Sequence, residues 1–539
     1  MDPGVHDVLI GITADAVAAG VVPGGVVAVV SADGSVATVP FGVTDLATHR
    51  PVTYDTRFEI GSISKSCTAL VVLGLVDQGL IGLDDAAVRH LPWLDVPSPF
   101  EPFTIRHLLQ HTAGLVMGAD AVPDERAQIA MMRGTVVGSP PGTFFHYSNL
   151  GYVVLGQIVQ AVTGRSCADL VVERVLVPSG MTGSIARVTD ADRETLATGY
   201  QPVFEDRPFL PGDRLAPATW FGVEAADGNV AAPGRDLGAY LAVLLARGRA
   251  GGSDVVSPQA FDEIVGSLAP DGEPSPNPSR YGLGLNVEQI AGSSCISHGG
   301  GMVGYASFII GDLDERVGVA VMTNAPGDSP AAEWLARRVF GAVQSSAGIA
   351  DVPDYRPWPD DEPDWQGGNW SDERGRFHVV REAGDPMLVD DEGSGRLVRL
   401  SADTWGCTHP GWRTFVHVVD HEGGSWTYGD RVLARGSAKA SEPGALGVEL
   451  APVVGHYRSY SPWWTHLRIV GRAGRLHLLA DNGVEANKDQ PELVPVTPGV
   501  FRIGADPRLP ERLALGPVVD GQVLWVDRDG CRYSRTFTP

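Results

Sequence analysis

Fourteen residues near position 350 divide this chain into two folding regimes. From Asp351 to Asp364 it reads Asp-Val-Pro-Asp-Tyr-Arg-Pro-Trp-Pro-Asp-Asp-Glu-Pro-Asp, four prolines and six acids. Such a segment can neither continue a helix nor join a central strand, and its like charges keep it extended, so it reads as a linker. Before it, apolar strand-like runs and long helical runs alternate. Beyond it the helical runs stop, and short β-like segments (376–380, 414–419, 465–470 and 523–526) are separated by Gly, Asp and Asn turns. A second break, rich in Ala, Gly, Ser and Pro, spans 436–447 and divides the all-β part into two small barrels or sandwiches. The expected domains are therefore 1–348, 349–445 and 446–539.

The first domain opens on two β-rich runs within 24–42, joined at Asp33-Gly34, a dipeptide suited to a tight hairpin. From Ser62 to Gly79 the pattern turns helical with almost no polar face, which predicts a helix buried on all sides. A second hairpin pattern covers 305–310 and 317–322, and Ser329-Pro330 then supplies the cap and first-turn proline of another helix. Strands at both ends with helices between predict one unit whose sheet joins its termini.

Charge and cysteine content limit the partners. Among 539 residues, 65 acids against 41 Lys and Arg give a net charge of −24, which repels nucleic acid and anionic membrane surfaces. The segment Met1–His6 has neither the basic nor the apolar region of a secretory signal, and no stretch is apolar enough to span a bilayer, so the expected location is the cytoplasm. Five scattered cysteines without a C-x-x-C pair suggest buried thiols, neither a disulfide framework nor a zinc site.

Lysine usage points to the chemistry. Lys65, Lys439 and Lys488 are the only lysines, every other basic side chain being Arg. An arginine cannot give up its proton, whereas a lysine can act as a base, so a chain that otherwise uses Arg has Lys65 where Lys alone would serve. Lys65 follows Ser62 by three positions, which on a helix brings the amine beside the hydroxyl as base and nucleophile. The helix start also offers free N–H groups to a developing oxyanion. Two further clusters carry polar groups suited to the same site. Tyr147-Ser148-Asn149 follows a Pro-Gly turn and precedes an apolar helical run, presenting a phenol for proton relay and a carboxamide for a substrate amide. His298-Gly299-Gly300-Gly301 precedes a strand, and its glycines permit close backbone approach to a ligand.

Ser62-x-x-Lys65, Tyr147-x-Asn149 and His298-x-Gly300, in that order, resemble the three motifs of the serine β-lactamase and penicillin-binding-protein superfamily, class C branch. Phe58-Glu59-Ile60-Gly61, Gly82-Leu83-Asp84-Asp85, residues 107–115 (HLLQHTAGL) and Tyr281-Gly282-Leu283-Gly284-Leu285 are similar to its connecting segments. The resemblance covers about residues 5–345. It implies an α+β catalytic domain, an antiparallel sheet flanked by helices with a helical subdomain, followed here by two barrel- or lipocalin-like domains. It further implies Ser62 as the acylated nucleophile, Lys65 and Tyr147 as the proton-transfer pair, His298 as a third catalytic group, Asn149 and Gly300 as substrate contacts, and an oxyanion hole from the Ser62 and Gly301 N–H groups. The chain departs from β-lactamases where His298 replaces Lys, which is similar to esterases and D-stereospecific peptidases; a neutral imidazole is a poorer carboxylate anchor than an ammonium. Ala113 also stands where the family usually has Ser.

No serine sits in a G-x-S-x-G elbow, which excludes the α/β-hydrolase reading of His298-Gly-Gly-Gly. His107 and His111 have zincin spacing without its Glu and read as scaffold; the run 417–421 (HVVDH) reads as a strand ending in a turn. Residues 455–464 (GHYRSYSPWW) are either a contact from the β domains to the site or aromatic packing. The expectation is a cofactor-free and metal-free serine hydrolase acting on an amide or ester of a small molecule or short peptide, such as a D-amino-acid derivative, with homo-oligomerisation open. Acyl transfer, including peptide cyclisation, would use the same acyl-enzyme, and a silent binding protein is the reading of another class.

Overall fold

The computed structural model describes residues 3–535 except 21, 119–123, 211, 223, 273–278, 328, 347, 349–367, 402, 420–423, 437–445 and 481–489. The linker at 351–364 and most of the break at 436–447 lie outside the described residues.

The strand Gly24–Val30 is buried along its whole length, which is why its sequence runs apolar instead of alternating. It pairs antiparallel with Val36–Asp45 on one side and with Val317–Thr323 on the other, Val27 facing Val39 and Val321. The first and last strands of the domain are thus neighbours, at the centre of an eight-stranded antiparallel sheet. From one edge the order is Arg280–Tyr281, Asn286–Ile290, Ser293–Met302, Tyr305–Asp312, Val317–Thr323, Gly24–Val30, Val36–Asp45 and Arg50–Pro51. The first hairpin turns tightly through a three-residue loop that contains Asp33-Gly34. Ser31 N–H donates to Ser35 O (3.0 Å), and Gly34 takes a left-handed φ of +82° that few side chains tolerate.

Helices cover both faces of the sheet. Pro3–Ala18 and Ala331–Ser346 bury Leu9, Ile12, Leu335, Val339 and Phe340 against Val27, Val319 and Val321. On the other face, Gly234–Leu245 packs so closely that a Cβ on Gly238 would overlap Val36 and Ala28. Helices Ser64–Asp77 and Asn149–Thr163 form the core of the helical part, with ten consecutive buried residues from Ser64 to Leu73 in the first. Asn324 locks the sheet's centre: its Oδ1 accepts from Gly24 N–H (2.8 Å), and its Nδ2 donates to Val43 O (3.2 Å) and Thr198 O (3.0 Å).

The chain divides into two compact units, the first comprising Met1–Gln201, Ala216–Tyr355 and Arg508–Pro510, and the second Pro202–Leu215, Arg356–Pro507 and Glu511–Pro539. Within the second unit, strands from Asn369 to Arg435 close into an eight-stranded barrel filled by Trp370, Phe377, Trp412, Trp426 and Tyr428. Trp426 Nε1 donates to His417 Nδ1 (2.9 Å), leaving Nε2 of that ring to donate to Trp412 O (2.8 Å), so burial is matched by hydrogen bonds. Strands from Gly455 to Ser534 form a second eight-stranded sheet around Tyr457, Leu467, Leu513 and Tyr533. Tyr457, from the aromatic run at 455–464, is core: its hydroxyl donates to Val453 O (2.7 Å) and accepts from Arg535 (2.7 Å). The expected strand at 523–526 is broken at Leu524, and that at 414–419 begins only at His417.

All five cysteines are free and buried. Among the described residues no helix is long and apolar enough to cross a membrane.

Candidate active site

Ser62 lies in a 3-10 turn, Gly61–Ile63, that runs directly into the helix Ser64–Asp77. This turn keeps the hydroxyl at the entrance of the helix while Lys65, one turn on, is fully buried. Lys65 Nζ is 2.9 Å from Ser62 Oγ and donates to Asp227 O at 2.8 Å. Its remaining side faces aromatic rings, with Nζ 5.1 Å from the Tyr147 ring centre and 5.7 Å from that of Tyr152. The serine–lysine pair expected from spacing is therefore assembled.

Tyr147 is held by local chemistry. Ser148 caps the helix Asn149–Thr163, its Oγ accepting from Gly151 N–H (3.1 Å) and donating to Val116 O (2.7 Å). Ser148 N–H donates to His111 Nδ1 (3.0 Å), and the His111 ring packs on Tyr147 with centroids 4.1 Å apart. Burial, together with the Lys65 charge, holds the His111 imidazole well below its ordinary range, so it serves as a neutral platform. Asn149 starts the helix, its N–H donating to Met117 O (2.7 Å), and its buried Oδ1 has no hydrogen-bond partner.

The third motif enters along the strand Ser293–Met302. Gly61 has φ +50°, and a Cβ there would stand 2.8 Å from Gly301 N. A Cβ on Gly300 would collide with Ile60 O and the Ser307 hydroxyl. The close approach these glycines permit is thus to the backbone of Ile60–Gly61, and it brings the Gly301 N–H beside the serine turn. Ser307 Oγ, donating to Ile60 O at 2.9 Å, pins the same junction.

His298 is buried, with both ring nitrogens occupied. Nδ1 lies 2.6 Å from Gly299 O, which can only accept, so Nδ1 carries the proton and Nε2 accepts from the Tyr281 hydroxyl at 2.8 Å. Burial pushes its pKa down to about 4, against the Gly299 hydrogen bond and aided by the Lys65 charge. The residue is a neutral imidazole at physiological pH.

Two contributors carry no signal in the spacing of the motifs. Asp227 holds Lys65 through a main-chain oxygen, which side-chain identity does not encode; its carboxyl is pushed up by burial and drawn back by Lys65. Tyr281, within a family-like segment, orients His298. In that same segment, a Cβ on Gly284 would meet Ala69 Cβ at 2.8 Å on the lysine helix, and φ there is +94°.

A serine hydroxyl facing a buried lysine amine, beside a glycine-lined sheet edge, defines a serine hydrolase. Residues 9–344 match the Beta-lactamase family, and the chain belongs to it. It is 28% identical over 389 residues to a D-aminopeptidase of Brucella anthropi, spanning 70% of this chain and 67% of that protein. A D-aminopeptidase of Cereibacter sphaeroides is 28% identical over 394 residues, with 70% and 68% covered. Among solved structures, the octameric penicillin-binding protein homologue from Pyrococcus abyssi aligns with TM-score 0.58 at 24% identity, over 80% of this chain and 100% of that one. The D-amino acid amidase from Ochrobactrum anthropi SV3 aligns with TM-score 0.55 at 24% identity, over 64% and 99%. Both structural likenesses speak to the fold.

Proposed function

We propose that this protein cleaves an amide or ester bond of a small peptide or D-amino-acid derivative through an acyl-enzyme on Ser62. The observation that carries the reading is the 2.9 Å approach of Lys65 Nζ to Ser62 Oγ, within reach for direct proton transfer. With Lys65 as the amine, the hydroxyl proton passes to Nζ as Oγ attacks the substrate carbonyl. The Ser62 and Gly301 N–H groups receive the oxyanion. Tyr147, packed against Lys65, returns the proton to the leaving amine or alcohol, and water then attacks the ester as the same groups act in reverse. Asn149 Oδ1, a buried acceptor without a partner, receives a substrate amide N–H. His298 acts here through position: neutral and tied to Tyr281, it fixes the strand that carries Gly300 and Gly301. A neutral group there favours substrates without the carboxylate that an ammonium would hold. The D-aminopeptidase relatives support a D-amino-acid acyl group. The scheme uses no cofactor.

The test is intact-protein mass after rapid quench with a D-amino-acid anilide, its L counterpart, an aryl ester and a penicillin. An acyl adduct on the wild type, absent from Ser62→Ala and heaviest in yield with the D-donor, is the expected result. An adduct that persists in Ser62→Ala refutes the nucleophile, and preference for the L-donor refutes the substrate class.

A further inference from the structure

The carbonyl that holds Lys65 belongs to a stretch without regular secondary structure, and its direction is set one residue earlier. The Ala226 N–H donates to Glu125 Oε1 (3.2 Å), and Ala226 O accepts from Thr68 Oγ1 (2.6 Å). Residue 226 is thus gripped from both sides, and the next carbonyl, Asp227 O, meets Lys65 Nζ. Thr68 lies one turn beyond Lys65 on the same helix. Glu125 begins the short helix Glu125–Met131, capped by the side chain of Asp124. Its second oxygen accepts from Gln157 Nε2 at 2.6 Å, and Gln157 lies on the helix that starts at Asn149. One mostly buried carboxyl therefore joins the helix of the Tyr-x-Asn motif to the backbone that supports Lys65. A side chain on Gly156 would press on Ala226 Cβ at 2.7 Å, so the contact leaves little room for adjustment.

We propose that Glu125 is a positioning residue for the hydrolysis: by holding the Ala226 N–H it aims the Asp227 carbonyl at Lys65 and so keeps the amine directed at Ser62. The inference rests on the reading of Ser62 and Lys65 as nucleophile and base. Glu125 touches neither of them.

The grip is also sensitive to pH. Burial raises the Glu125 carboxyl to about 7, opposed by the hydrogen bonds from Gln157 and Ala226 and reinforced by the neighbouring Asp227 and Glu224 carboxyls. Also facing this group are Arg126, whose Nε donates to Gln157 Oε1 (3.4 Å), and the buried Cys167 thiol. The carboxylate, the stronger acceptor, is present above this value and lost below it.

Glu125→Gln keeps the volume and removes the titration. With a D-phenylalanine p-nitroanilide as probe, kcat is expected to fall about tenfold with KM within about twofold, the split expected when an interaction serves the transition state alone. The acid limb of the kcat/KM profile is expected to move to lower pH, since a group titrating near 7 no longer weakens the grip. Thr68→Val releases the same peptide from its other side and should reproduce the loss in kcat without moving that limb. If Glu125→Gln fails to fold, Thr68→Val decides: an unchanged kcat overturns the inference. So does a Glu125→Gln enzyme with wild-type kcat and pH profile. Quenched-flow mass analysis separates the two levels of the argument. An adduct on Ser62 forming at the wild-type rate in Glu125→Gln sinks only the positioning role, whereas an adduct elsewhere than Ser62 sinks the nucleophile reading beneath it.

Discussion

Glu59 stands three residues before the serine, in the strand Arg57–Glu59, where it pairs with Ala231. It is 5% exposed, and its Oε2 has no hydrogen-bond partner. Burial alone raises its carboxyl from 4.5 to about 8. Below pH 4.5 the group is protonated in both the folded and the unfolded chain. Between 4.5 and 8 the unfolded chain releases the proton while the folded chain keeps it, so the fold loses about 1.4 kcal/mol for each pH unit. Above 8 both forms are ionised and the slope ends. Over the whole window the loss is about 5 kcal/mol, large beside the ~5–15 kcal/mol that stabilises a domain. Glu59→Gln keeps the shape and removes the titration. Pulse proteolysis across a urea series at pH 5 and pH 9, with surviving peptides from residues 9–344 quantified by mass spectrometry, reports stability of the catalytic unit without assuming that the whole chain unfolds in one step. The variant is expected to gain on the wild type by about 4 kcal/mol between the two pH values. A gap between variant and wild type that is the same at both would refute the argument, because it would mean that Glu59 is solvated or paired in the folded protein.

Two other substitutions probe separate parts of the structure. Lys65→Arg preserves the charge but removes the capacity to become a base, so acylation of Ser62 in single-turnover experiments should slow by about 10³-fold; a rate within tenfold of wild type would sink the base assignment. Asn324→Ala strands the Gly24 N–H and frees the Val43 and Thr198 carbonyls at the sheet's centre, a loss of about 3 kcal/mol visible as a lower urea midpoint, and an unchanged midpoint would contradict the proposed lock.

The parts of this fold that could be read from sequence are those in which side-chain pattern and backbone geometry coincide. The buried helix after Ser62 was legible because eight apolar side chains between Cys67 and Val76 leave no polar face, and the all-β character beyond residue 368 because turns recur every few residues. Spacing alone put Ser62 beside Lys65, and that juxtaposition is found at 2.9 Å. Contributions that run through the main chain were not legible. Asp227 supports Lys65 with a carbonyl that any residue would carry, and the space that Gly300 and Gly301 leave is taken up by the backbone of Ile60 and of Gly327. Sequence also does not reveal that Tyr281 and Gly299 occupy the ring nitrogens of His298. The hairpin at Asp33-Gly34 was legible too, while the pairing of Ser31 with Ser35, which draws Ala32 into the turn, runs through the main chain.

The pairing of the first strand with the last has a consequence during synthesis. Gly24 cannot meet Asn324, 300 positions later, until nearly the whole catalytic domain has left the ribosome. At ~5–20 residues per second that is a wait of roughly 15–60 s, in which Gly24–Val30, a wholly apolar strand, has a strand partner on one edge only. Translation speed and chaperone supply should therefore govern the yield of this protein in a host more than the stability of the finished fold does. A ribosome that stalls before Val317 leaves a nascent chain with the serine already made and one edge of its central strand open to aggregation.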